Sequence, residues 1–219
     1  MKSMKNFLHV AWRWVRWPVL VLGFLYAVLV GFRTFVLFDE EKTAEAVAQI
    51  HAQKITLADV MGASLPPTSD KAENDSTVVG IDKNNNGIRD DVELAIFKKY
   101  PNSAKIRAAE LQYALTEQMF LTRVVNTETW KAVAEENGRA SSCVAAIYPR
   151  KDLGLLTETE LNAYLKSGLP EYVKKVENLV AEVENLVFNT NIRKDARQKS
   201  FEYITTNGDA PGPYCDVDI

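Results

Sequence analysis

Histidine is nearly missing from this 219-residue chain: there are two, His9 and His51. A zinc set built on imidazole, or a Ser-His-Asp triad, would have to use His51 alone, and nothing around it points that way. Cysteine is equally sparse, with only Cys143 and Cys215, so a thiolate metal cluster and a multi-bridge scaffold are both excluded. An excess of positive charge is missing too. Five of the 26 basic residues (Lys2, Lys5, Arg13, Arg16, Arg33) lie before residue 39, where there are no acidic ones. That leaves 21 basic against 29 acidic residues beyond it, a net charge of −8. So acidic a segment is a poor nucleic-acid binder, because a basic face must displace counterions from phosphates. No internal repeat of solenoid length is present.

What the chain does have is one long apolar run. Residues 17–32, WPVLVLGFLYAVLVGF, are sixteen in a row without charge. As a helix they rise about 24 Å, short of a hydrocarbon core of about 30 Å. Past Arg33 the apolar character resumes, and residues 17–38 are long enough to span, with Arg33 snorkelling towards headgroups. Lys2, Lys5, Arg13 and Arg16 precede the run, while Asp39, Glu40 and Glu41 follow it. The positive-inside rule then puts residues 1–16 in the cytoplasm, with Trp12, Trp14 and Trp17 at the inner interface, and everything after residue 38 outside. Bulky Phe35, Leu37 and Phe38 end the run where a signal peptide would carry small residues, so the expectation is an uncleaved single-pass anchor in the inner (plasma) membrane. Outside, Cys143 and Cys215 meet oxidising conditions and are expected to pair. Their bond would tie the Pro/Gly-rich tail, 207–219, to a mid-domain helix across a loop of about seventy residues, stabilising by about 4 kcal/mol.

The rest is helical in pattern. Asp39 suits a cap for a membrane-proximal helix to Gln53, and Thr56 one for a short helix ended by Gly62; together they make a membrane-proximal segment, 39–61. Residues 62–79, rich in Pro, Ser and charge, read as an extended linker to a helical domain at 80–206. Within that domain, helices are expected from Asp91 to Tyr100, from Ser103 to about Val125 and from Thr127 to about Tyr148, stopped by Pro101 and Pro149. Thr157-x-x-Glu160 is a capping box for a fourth, separated by Gly168 and Pro170 from a fifth. In that fifth helix Val173, Val176, Leu179, Val180, Val183, Leu186 and Val187 alternate by threes and fours, as a bundle helix or a short coiled-coil seam would. A last helix runs to Ile204. The fold class is mainly α: a transmembrane helix followed by an extracytoplasmic helical bundle.

One segment carries chemistry. Residues 82–93, DKNNNGIRDDVE, place side-chain oxygens at positions 1, 3, 5, 9 and 12: Asp82, Asn84, Asn86, Asp90 and Glu93. Gly87 stands at the sharp turn of position 6, and the Ile88 carbonyl fills position 7. A calcium ion takes six to eight oxygens, and this spacing wraps the chain around one ion. The same residues also suit an ion-free turn (Asn84 to Gly87) followed by a capping box, Asp90-x-x-Glu93.

Over about twelve to eighteen residues this segment resembles the calcium loops of EF-hands and dockerin-like modules. Residues 86–93, NGIRDDVE, also resemble a stretch of uncharacterised bacterial envelope proteins, which implies no activity. Two departures stand out: Arg89 occupies position 8, where EF-hands use an apolar residue to pair two loops, and residues 76–81 look extended rather than helical. The resemblance therefore implies a single loop, with a calcium affinity of about 10⁻⁴–10⁻³ M given asparagines at positions 3 and 5. The function that follows is a non-enzymatic interaction or envelope-assembly protein, integral to the membrane and meeting an envelope protein partner, an immunity or inhibitor role included. The alternatives are a hydrolase using two carboxylates and a calcium-responsive sensor.

Overall fold

A computed structural model describes residues 2–148, 153–208 and 212–218, those at 2–15, 34–38 and 153 by backbone alone. Pro149, the side chains of Trp12 and Trp14, and tail residues 209–211 lie outside this description. The described residues are mainly helical and contain no strand. The chain divides into two compact units, Met1–Glu45 and Ala46–Ile219.

The first unit belongs to helix α1, Lys2–Ala52. Its window Arg16–Arg33 is, among the described residues, the one stretch long and apolar enough to cross a membrane, and none of it is buried. Asp39 does not start a new helix; α1 runs through it. Residues 39–52 are rich in Glu and Ala and free of Pro and Gly, so nothing breaks the ladder there.

The second unit is built around α5, Ala104–Thr122, capped by the Ser103 side chain, which accepts from the Ile106 N–H. Every residue from Arg107 to Phe120 is buried, so α5 is enclosed on all sides. Around it pack α2 (Leu57–Met61), α4 (Asp90–Lys99), α6 (Thr127–Ala146), α8 (Leu169–Val187) and α9 (Asn191–Ser200). Three of them present an apolar face at helical spacing: Val92 and Ile96 from α4, Val133, Ala140 and Val144 from α6, and Leu179, Val183 and Val187 from α8. The three-four alternation of α8 thus serves its own core at its C-terminal half. Asn126, one residue before the expected Thr127, caps α6 with Thr129 as the reciprocal partner. Thr56 and Thr157 cap as expected, through Asp59 and Glu160.

Three buried arginines close the carbonyl ends that helices leave unpaired. Arg89 donates to Leu186 O and Val187 O at the end of α8, at 2.7 and 3.1 Å. Arg107 reaches Tyr100 O, Pro101 O and Val60 O, at 2.7, 2.8 and 3.0 Å. Arg193, fully buried, donates to Asn74 O, Thr77 O and Val78 O and to the side chains of Asp75 and Asn189. A guanidinium carries five donors in a fixed fork, enough to satisfy several orphan carbonyls at once.

Arg193 also corrects the linker at 62–79. That segment folds onto the unit: it contains α3, Lys71–Asp75, capped by Asp70, and buries Asn74. Most of its polar side chains still face solvent, while its carbonyls at Asn74, Thr77 and Val78 and the Asp75 carboxylate meet Arg193. Of the expected membrane-proximal segment, 39–61, residues 46–61 belong to the second unit and supply core residues Ile50, Ile55 and Val60. Gly168 and Pro170 do not divide the fourth helix from the fifth. A π turn, Tyr164–Gly168, joins α7 (Glu158–Ala163) directly to α8, with Pro170 in its first turn, where a missing N–H is tolerated.

Candidate functional site

The loop 82–93 lies between the folded-back segment and α4. Its curl starts from backbone conformations that few residues adopt: Asn85 at φ 56° and Gly87 at φ 89°. A Cβ at Gly87 would also meet Gln53 Nε2 at 2.0 Å and Leu115 Cδ1 at 2.7 Å. Two Asx contacts hold the turn. Asp82 Oδ2 accepts the Gly87 N–H at 2.9 Å, and Asn86 Oδ1 accepts the Ile88 N–H at 2.8 Å. Ile88 drives its side chain into the core, and Gln53 Nε2 donates to Asn86 O at 3.4 Å.

Asp82, Asn84, Asn86 and Glu93 converge on one side of this curl. Asn84 Nδ2 donates to Glu93 Oε2 at 2.9 Å and to Ser64 O at 3.0 Å. Asp82 Oδ1 and Asn84 Oδ1 are buried without a hydrogen-bond partner, as is Asn86 Nδ2. Glu93 is buried, and burial pushes its carboxyl up to about 7, with hydrogen bonding from Asn84 opposing. Burial raises Asp82 as well, against the hydrogen bond from the Gly87 N–H. Two acids pushed towards neutrality beside two unpaired oxygens make a pocket in which a cation would restore what burial takes away.

Asp90 stands apart from that group. Its Oδ1 accepts the Lys83 N–H at 2.9 Å and its Oδ2 accepts from the Ser69 hydroxyl at 2.7 Å, so both oxygens are engaged. It is the first residue of α4 rather than its cap. The N-cap is Arg89, without a side-chain capping bond, and the Glu93 N–H donates to Arg89 O. The expected Asp90-x-x-Glu93 capping box is therefore not formed. The capping interaction goes instead to loop closure, and Glu93 turns towards Asn84. Arg89, the residue that departs from the EF-hand pattern, points into the core to cap α8.

Cys143 of α6 and Cys215 of the tail stand with Cα atoms 4.9 Å apart, joined as a disulfide. Near them, His51 Nδ1 lies 2.8 Å from Glu136 Oε1, and Lys54 and Arg139 pair with the same carboxylate. Burial would raise the Glu136 carboxyl, but hydrogen bonds from His51, Lys54 and Arg139 outweigh it and hold Glu136 below the usual carboxylate range. Ser69, Ser64, Gln53 and Arg193 escaped the sequence reading. Ser64 meets Asn84 across 20 residues, Ser69 meets Asp90 across 21, Gln53 meets Asn86 across 33, and Arg193 reaches Asn74 O and Val78 O across 119 and 115; no local pattern marks such contacts. Comparison with family models, with curated proteins and with solved structures finds no match.

Proposed function

We propose that the loop 82–93 holds one calcium ion in a structural role, and that the chain is a membrane-anchored, extracytoplasmic interaction protein rather than an enzyme. The observation that carries the calcium reading is the pair of buried, unpartnered oxygens, Asp82 Oδ1 and Asn84 Oδ1, beside a buried Glu93. Asp82, Asn84, Asn86, the Ile88 carbonyl and Glu93 would hold the ion, with Asp90 shaping the loop through Lys83 and Ser69. An ion there would fasten the curl of the loop to α4 through Glu93. The anchor reading is supported by the exposed apolar window Arg16–Arg33 and by the change of charge sign across it.

A carboxylate hydrolase needs two carboxyl groups facing a substrate across a cleft. The buried Glu110 and Glu117 instead lie within the helix packing of α5, and Glu136 is neutralised by Lys54 and Arg139. For the calcium reading, calorimetry on the full chain in detergent should show calcium heat at millimolar concentration, lost in Asp82→Ala. No heat from a folded, detergent-solubilised chain would remove the metal. Protease added to spheroplasts should digest residues beyond 40; full protection would remove the topology.

A further inference from the structure

The C-terminal tail sits on the bundle in the way a bound peptide would. No described residue after Ser200 is buried, and Tyr214 is 62% exposed. Yet residues 213–216 are read through their main chain. Arg139 Nε donates to Pro213 O at 2.9 Å, Gln112 Nε2 donates to Tyr214 O at 2.8 Å, and Gln112 Oε1 accepts the Asp216 N–H at 2.9 Å. One side chain is then read specifically. The Asp216 carboxylate accepts from Arg139 Nη2 at 2.8 Å and from the Ile55 N–H at 3.3 Å. Arg139 is itself buried and oriented by Glu136, which also binds His51 and Lys54. A cleft of about 440 Å³, lined by His51, Lys54, Glu135 and Arg139 among others, continues beside the tail.

We propose that Arg139, Gln112 and the Ile55 N–H form a recognition niche for an acidic peptide segment of a partner protein, which this chain closes with its own tail, the Cys143–Cys215 bond acting as the latch. Main-chain contacts recognise an extended peptide of any sequence, and the Arg139–carboxylate contact selects an acidic residue at one position. The latch opens by thiol exchange with a dithiol reductant. One of its thiolates attacks Cys215, the less buried of the two residues, and expels Cys143 as a thiolate that takes up a proton. Its second thiol then displaces Cys215, leaving two thiols here and one disulfide in the reductant. This inference does not depend on calcium.

The test uses the full chain in detergent. On reduction, amide-exchange protection of residues 212–218 should fall at least tenfold while α5 and α6 keep theirs. A synthetic peptide of residues 212–218, with serine for its cysteine, should bind the Cys143→Ser/Cys215→Ser/Asp216→Asn chain at least tenfold more tightly than the oxidised wild-type chain. The same peptide with asparagine for its first aspartate should lose at least tenfold. Equal binding to both chains, no binding to the opened chain, or indifference to the aspartate overturns the niche. Loss of helical circular dichroism on reduction overturns the latch, since the bond would then be holding the bundle itself.

Discussion

Arg193→Met separates two descriptions of residues 62–79: a solvated tether, as composition implies, and a packed segment, as the fold has it. The wild-type guanidinium is fully buried and makes five hydrogen bonds, to three carbonyls and to the side chains of Asp75 and Asn189. Methionine keeps most of the apolar stem and removes every donor. If residues 74–78 stay in place, three carbonyls lose their partner, at about 1–3 kcal/mol for each buried group left unsatisfied, while Asp75 keeps its pair with Lys71. The segment lies at the surface, though, and can swing out to water, which caps the loss at about 3–5 kcal/mol, the usual range for breaking a buried charge network. For a unit of this size that lowers Tm by about 6–20 °C. Urea melts of the full chain should show the loss, and amide exchange should place the first opening at residues 71–80. A change under about 1 kcal/mol, with exchange there already fast in the wild type, would mean that the segment is a tether and that the burial of Arg193 contributes nothing to stability.

Calcium at one hundred times its dissociation constant should stabilise the folded chain by about 2.7 kcal/mol, a rise of about 5–11 °C in Tm, and Asp82→Ala should abolish the rise. Because the metal needs Glu93 ionised and that carboxyl sits at about 7, the shift should be larger at pH 8 than at pH 6. Burial pushes Glu110 up to about 8 from 4.5. Its folded state therefore keeps the proton longer than the unfolded one. Its contribution is complete below about 4.5 and is lost as pH rises towards 8, at up to about 1.4 kcal/mol per pH unit. Glu110→Gln, neutral throughout, should flatten that part of the stability profile measured by urea melts between pH 5 and 8. Val183→Ala removes two methyl groups from a fully buried position on α8 and should cost about 2 kcal/mol in the same assay.

The reading of α5 shows where pattern falls short. Its apolar spacing marks a helix, and Ser103 and Pro101 mark its start correctly. The same spacing would send Glu110, Gln112, Glu117 and Gln118 to solvent, yet all four are buried. Three of them are met by segments remote in sequence: Gln112 by the tail, Glu117 by Asn137, and Gln118 by Val79 O. In the loop, the spacing of Asp82, Asn84, Asn86 and Glu93 was legible because the curl is local. The removal of Asp90 to Ser69 and Lys83 was not, because Ser69 lies 21 residues away.

By itself the sequence determined the helix starts at Thr56, Ser103 and Thr157, the apolar run at 17–32 and the turn at Asn85 and Gly87. Caps, periodicity and positive φ are decided by interactions spanning a few residues. Only the tertiary structure decided that residues 62–79 pack, that Arg89, Arg107 and Arg193 go inside, and that the tail lies on Arg139. A buried charge is tolerated only where several distant acceptors converge on it, and that convergence exists only once the chain has folded.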